Sequence, residues 1–189
     1  MRRILRLLAA ALLAWPTLGW PMPGRAAELG QPTGQVVLTV AGAIGATNRG
    51  PSDDFEDGFF KHYDRTFDKA AAFDLAMIEG LGMHAVTVSY DKWPKPFRFE
   101  GPWLKDVLAA AGASGHDISV LALDGFAADI SAADVAAYDW IVAVKRDGRY
   151  LGIGQRGPLW LVYARRDGKP IGEEDEQRWP WAAFLIEVK

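Results

Sequence analysis

The chain of 189 residues contains no cysteine, and that absence removes several chemistries at once. Disulfide scaffolds, thiolate zinc sites, iron–sulfur ligation and a cysteine nucleophile are all excluded. Histidine is nearly as scarce: His62, His84 and His116 are scattered, and none has an acid or a second histidine at i+3 or i+4. Each therefore reads as a surface or satisfied side chain and not as a metal ligand. No Gly-rich stretch ends in Gly-Lys-Ser/Thr, which rules out a Walker loop, and no serine occupies a G-x-S-x-G elbow. After residue 27 no apolar run is long enough to cross a bilayer. Half of the residues are apolar, so wholesale disorder is excluded, and the length suits one ordinary domain with a real core.

Acidic residues are also missing from one place. The first 26 residues hold Arg2, Arg3, Arg6 and Arg25 and no acid. Without them the formal charge moves from -3 to -7, with 17 Lys and Arg against 24 Asp and Glu. A body of that sign is a poor partner for nucleic acid or for an anionic lipid surface. The early arginines precede or interrupt an apolar run, Leu7 to Leu13, which continues through Trp15 to Trp20 and ends in Pro21, Pro23 and Gly24. Gly24-Arg25-Ala26 places small residues at the -3 and -1 positions before Ala27. Residues 1–26 read as a secretory signal peptide. An uncleaved anchor is the rival, but the run falls short of about 20 apolar residues and contains Pro16 and Pro21. Residues 27–189 are then one periplasmic or otherwise extracytoplasmic domain with no further membrane insertion.

The pattern of that domain is mixed. Gln35 to Ala41 alternates, is rich in β-branched residues and stops at Gly42, so it predicts a strand. Thr47 to Asp68 is polar, acidic and aromatic without a clear period. It reads as a solvated loop with a helical turn around Phe59 to Tyr63, or as a partner-binding flap, because Phe55, Phe59, Phe60 and Tyr63 are costly to expose. Lys69 to Leu81 predicts a helix ended by Gly82, and His84 to Tyr90 a strand leading into the turn Trp93-Pro94-Lys95-Pro96. Pro102 to Ala111 predicts a helix and Asp117 to Leu123 a strand, with a bend at Asp124-Gly125. Ser131 caps a helix to Ala137 with Asp134 in the capping-box position. Trp140 to Val144 and Tyr150 to Ile153 are expected to form a hairpin around Arg146-Asp147-Gly148. Leu159 to Ala164 and Ala182 to Val188 are further strands. Strands and short helices alternate without a doubly wound rhythm, so the class is α+β, a single mixed-sheet domain with short helices.

Gly152-Ile153-Gly154-Gln155-Arg156-Gly157 fits G-x-G-x-x-G, but it leads into a strand, leaving no helix N-terminus for a pyrophosphate. Aromatic residues are the richer signal. Of the six tryptophans beyond the leader, Trp103, Trp140 and Trp160 fall on element faces and are expected in the core. Trp93 and Trp179 fall where strands open into loops, where an indole stacks on a planar heterocycle.

Six segments in order carry a family likeness: Val40-Ala41-Gly42 with Thr47-Asn48, then Phe73-Asp74-Leu75, then Val86-Thr87-Val88-Ser89 up to Trp93. They continue with Phe99-Glu100-Gly101-Pro102-Trp103-Leu104-Lys105-Asp106-Val107-Leu108, Ala122-Leu123-Asp124-Gly125-Phe126, and Arg156-Gly157-Pro158-Leu159-Trp160-Leu161-Val162-Tyr163. Together they resemble the molybdopterin-binding oxidoreductase domain of the sulfite oxidase fold, in its short periplasmic form, over nearly all of residues 27–189. The resemblance implies a sulfite-oxidase-like α+β fold whose loops, at one end of the sheets, hold a pterin.

The chain departs from that family at its metal. Catalytic members carry a molybdenum-ligating cysteine four residues before the loop tryptophan, and the matching position here is Ser89. A serine hydroxyl is far less acidic than a thiol of pKa about 8.5, so molybdenum loses its tether to the chain. The resemblance then points to the periplasmic pterin-responsive proteins that dock on the sensor region of a membrane cyclic-di-GMP cyclase or phosphodiesterase. The ligand implied is a reduced pterin or molybdopterin, with Asp53 to Tyr63 as partner surface. The alternative is a molybdopterin-dependent oxidoreductase with Ser89 or water in the thiolate's place. In the binding reading Ser89 and Tyr90 floor the pocket, Trp93 stacks on the pterin and Asp124 accepts from its amino and ring N–H pair. Arg156 and Arg178 contact its polar side chain, and Arg165 and Arg166 are further candidates for a basic pocket.

Overall fold

The first strand forms where the alternation places it, as β1 (Val36–Gly42), and the buried run Leu38 to Ala41 puts it inside a sheet. Gly42 ends it at φ +93°, where a Cβ would lie 2.1 Å from the Val188 carbonyl oxygen. The computed structural model describes residues 29–113, 115–167 and 169–189, so the expected signal peptide, 1–26, lies outside the described residues. In chain order β1 is followed by α1 (Gly58–His62), β2 (Ala70–Asp74), α2 (Leu75–Gly80), β3 (His84–Val88), β4 (Phe97–Gly101) and α3 (Leu104–Ala110). Then come β5 (Ile118–Ala122), β6 (Ala127–Ile130), α4 (Ala132–Ala137), β7 (Asp139–Ala143), β8 (Lys145–Arg146), β9 (Arg149–Tyr150), β10 (Leu159–Ala164), α5 (Glu173–Glu176) and β11 (Trp181–Val188). The fold is a single α+β domain of mixed sheets with short helices. Among the described residues no helix is long and apolar enough to cross a membrane.

The larger sheet runs β2-β1-β11-β10-β7, with β5 and β6 added beside β11. Its one parallel pair is β1 with β11, Thr39 opposite Leu185. β11 serves three neighbours because it changes partner at a bulge: Trp181 and Ala183 pair with β10, Ala183 to Val188 with β5. The smaller sheet, β3-β4-β8-β9, is antiparallel throughout. It is stitched to β7 where the Val142 and Val144 amides donate to the Pro102 and Glu100 carbonyls at 2.9 and 2.8 Å. Gly101 permits that approach, since a Cβ there would meet the Val142 oxygen at 2.0 Å.

Two expectations are corrected. The helix expected over Lys69 to Leu81 is a strand followed by a shorter helix. Ala70 to Asp74 are all buried and pair antiparallel with β1, so sheet burial overrides the helix preference of alanine. Asp74 marks the switch: its carboxylate accepts from the Met77 amide as the α2 N-cap and from the Thr33 and Gly34 amides, and these bonds hold it below the usual carboxylate range. The hairpin around Arg146-Asp147-Gly148 exists, but as β8 and β9; Trp140 to Ala143 pairs instead with β10, Trp160 opposite Ala143. The segment Thr47 to Asp68 is largely exposed, and the helical turn expected around Phe59 to Tyr63 forms as α1. Phe60 is buried in a satellite core with Ala41, Ala70, Leu121 and Leu185, while Phe55 is 89% and Phe59 57% exposed.

Candidate functional site

The end of the smaller sheet where β3 hands over to β4 gathers the aromatic residues. Alternation along β3 buries Val86 and Val88, and the chain then leaves the sheet through Ser89 and Tyr90. Ser89 is exposed and its carbonyl accepts from the Ile171 amide at 3.1 Å, while Tyr90 is buried beneath it. A turn, Trp93 amide to Tyr90 carbonyl at 2.9 Å, folds the Trp93 indole back over the body. Its ring lies 5.7 Å from Tyr90, 5.3 Å from Phe97, 5.7 Å from Trp160 and 6.0 Å from Trp179. Trp93 is thus half-buried, one member of an aromatic wall, and not a lone platform. Trp179, expected at a loop mouth, is buried in the same wall. The Trp160 and Trp179 indole N–H groups have no partner there, at a cost of about 1–3 kcal/mol each that the ring packing must offset.

Basic residues stand against this wall. The Arg156 guanidinium lies 4.6 Å from the Trp160 ring centre and 5.8 Å from Trp181. The Arg146 guanidinium lies 4.6 Å from Phe97 and the Lys95 ammonium 5.4 Å from the same ring. Such contacts cover a cation's face and leave its N–H edge available. Lys95, Arg146, Arg149, Tyr150, Leu151 and Gln155 line a cleft of about 420 Å³ with a single acid, Asp147. That acid is already engaged: Lys95 donates to it at 2.7 Å and the Arg98 amide at 3.0 Å, which holds its carboxyl below the usual range.

The arginine inventory separates this place from the rest of the molecule. Residues 29–189 contain nine arginines. Arg49, Arg65, Arg98, Arg165, Arg166 and Arg178 each have a carboxylate within 4.0 Å. Among the described residues Arg146, Arg149 and Arg156 have none, and they are neighbours on the β8–β9 hairpin and the loop after it.

The expected site residues divide accordingly. Tyr90, Trp93 and Arg156 stand at the aromatic wall, whereas Ser89 is exposed and borders a separate cavity. Asp124 is exposed at the β5–β6 bend, where it accepts from the Phe126 amide at 3.1 Å. Backbone bonds bring it to the same edge: the Leu123 amide donates to the Ala182 carbonyl at 2.9 Å and the Ala182 amide to the Arg156 carbonyl at 3.0 Å. Arg178 is spent on Asp134 at 2.8 Å. Arg165 is spent on Asp167 and Asp175, and Arg166 on Asp139. Those three do not form a basic pocket. Arg146, Arg149, Lys95 and Phe97 were not singled out from sequence; the signal was the basic pair flanking Asp147-Gly148, which turn chemistry alone explains.

Ser89 borders a smaller cavity of about 160 Å³ with Thr87, Ala164, Arg165 and Lys169. Among the described residues no three His, Cys, Asp or Glu side chains converge as metal ligands would. Gly157 leads from the glycine-rich loop into β10, and a Cβ on it would lie 2.1 Å from the Leu151 oxygen, so this glycine serves backbone packing. No family model matches the chain, and no curated protein matches it in sequence.

Proposed function

We propose that the protein is a periplasmic pterin-binding protein of the sulfite oxidase fold that works without molybdenum chemistry, as the ligand-responsive partner of a membrane cyclic-di-GMP cyclase or phosphodiesterase. One observation carries the ligand assignment: of the three arginines without carboxylate partners, Arg146 and Arg156 lie on the rings of Phe97 and Trp160, which pack with Trp93 and Trp179, and Arg149 lines the adjoining cleft. A pterin is a planar heterocycle, and its phosphorylated forms carry an anionic tail. Aromatic faces suit the first and unpaired guanidinium edges the second. The residues present fit the pterin better than the metal, because the chain offers Ser89 where a thiolate would bind. Asp53 to Tyr63 is the partner surface in this reading, since it is pinned in place while Phe55 stays exposed. The Tyr63 hydroxyl donates to the Leu123 carbonyl at 2.6 Å, and the Asp53 carboxylate accepts from the Phe55 and Glu56 amides.

The oxidoreductase reading keeps one observation in its favour. Ser89 is exposed and borders a cavity, so its oxygen is accessible as a hard ligand. Elemental analysis of the purified protein together with fluorescence of released pterin decides between them. Pterin without molybdenum, lost in Trp93→Ala, is the expected result. Stoichiometric molybdenum overturns the metal-free reading, and neither ligand overturns both.

A further inference from the structure

A second cavity, of about 310 Å³, lies between α3 and α4 and shares no lining residue with the arginine cleft. It follows from how α4 is held. That helix has six residues and none is buried, whereas α3 buries Leu104, Val107 and Leu108. An ordinary surface helix lays an apolar stripe on the body. α4 packs on the core only lightly, through Val135, and is otherwise held by polar ties. The Ala132 amide donates to Asp117 Oδ1 at 2.7 Å, Asp134 meets Arg178 at 2.8 Å, and Arg166 reaches the Ala136 carbonyl at 3.4 Å. The space left beneath is apolar, with Ala132 and Val135 of the helix lining it together with Trp103, Leu108 and Trp140.

Charged groups complete the lining. Arg166 and Asp139 neutralise each other at 2.7 Å, and the Asp117 carboxylate is committed to the α4 amide. Lys105 has no carboxylate within 4.0 Å among the described residues, and it is exposed. His116 Nδ1 is committed to the Lys189 main-chain oxygen, 3.0 Å away. We propose that this cavity is a second ligand site, for a small amphipathic carboxylate with a single aromatic ring or a short alkyl chain. The volume is near the lower limit for small-molecule sites, about 300 Å³, which sets the size of the apolar part. Lys105 sets the sign of the polar part.

Isothermal titration of the purified protein with 3-phenylpropanoate and with neutral 3-phenylpropanol tests this. Saturable binding of the acid is expected, weakened at least tenfold by Val135→Phe, which fills the space. Lys105→Gln weakens the acid by a factor of up to about five and leaves the alcohol unchanged. Ala136→Leu, at an exposed position of the same lining, is a second filling variant should Val135→Phe shift the thermal midpoint. The site is refuted by no saturable binding of either probe, or by binding that both filling variants leave intact. Equal affinities for acid and alcohol refute the carboxylate.

Discussion

Two stretches of this chain are equally rich in arginine, and the fold uses them in opposite ways. Arg165, Arg166 and Arg178 flank α5, and each has an aspartate within hydrogen-bonding reach: Asp167, Asp139 and Asp134 at 3.2, 2.7 and 2.8 Å. Around β8 and β9 they have none, and Arg146 and Arg156 lie on aromatic rings instead. An incoming anion must displace a carboxylate in the first region. In the second it meets an open edge. Availability of charge, and not its amount, marks the candidate site, and availability is decided by neighbours far apart in sequence, such as Asp134 and Arg178.

The contrast can be broken most severely at the aromatic wall. Trp160→Ala removes a fully buried ring packed on Phe99 and Trp93 and should cost about 3–5 kcal/mol in urea unfolding. Trp93→Ala, half-buried, should cost less. Next in size is ligand affinity: Arg146→Ala and Arg149→Ala should each weaken binding of a pterin phosphate roughly tenfold in a fluorescence titration, since a charge-assisted hydrogen bond contributes about 1.5–3 kcal/mol. Unfolding free energy should stay within about 0.5 kcal/mol. An equal loss in Arg166→Ala would erase the distinction between the two regions.

Smaller effects sharpen the other side. Arg178→Ala breaks a pair whose side chains are about one-third exposed, so about 0.2–1 kcal/mol of stability should go, with pterin affinity unchanged. The smallest effect concerns acid. Hydrogen bonds from Arg165, with the Lys169 amide adding to them, hold the Asp167 carboxyl down to about 2. A carboxyl depressed on folding stabilises above its unfolded pKa of about 3.9 and loses that contribution as pH falls through the folded value. Arg165→Ala should therefore lower the urea midpoint at pH 6 more than near pH 2. Carboxyl-carbon NMR should show the Asp167 midpoint moving upward in that variant.

Most strands were legible because their alternation matches their burial: Val86 and Val88 inward on β3, and the apolar run Leu159 to Val162 for a strand covered on both faces. β2 was not, because Ala70-Ala71-Ala72 carries a helical preference that only pairing with β1 overrules. β4 was missed between Pro96 and Pro102, though Phe97 and Phe99 alternate about Arg98. β6 and α5 were missed for brevity, with four residues each. For the site, Tyr90, Trp93 and Arg156 could be named from their place at strand ends. Arg146 and Arg149 could not be told from Arg165 and Arg166, since in sequence all four are basic residues beside an aspartate and a turn.

The aromatic wall also has an optical consequence. Trp160 and Trp179 touch Trp93 at 5.7 and 6.0 Å, Trp179 touches Tyr163 at 5.4 Å, and Tyr163 touches Trp140 at 4.6 Å. Rings at such separations exchange excitation before they emit. Trp93, Trp160 and Trp179 therefore behave as one coupled group, whose emission is depolarised whichever of them absorbs and whose near-ultraviolet circular dichroism is a collective property. Because Trp93 stands at the arginine end of this group, a ligand seated there should alter the emission of the two buried indoles as well as that of Trp93.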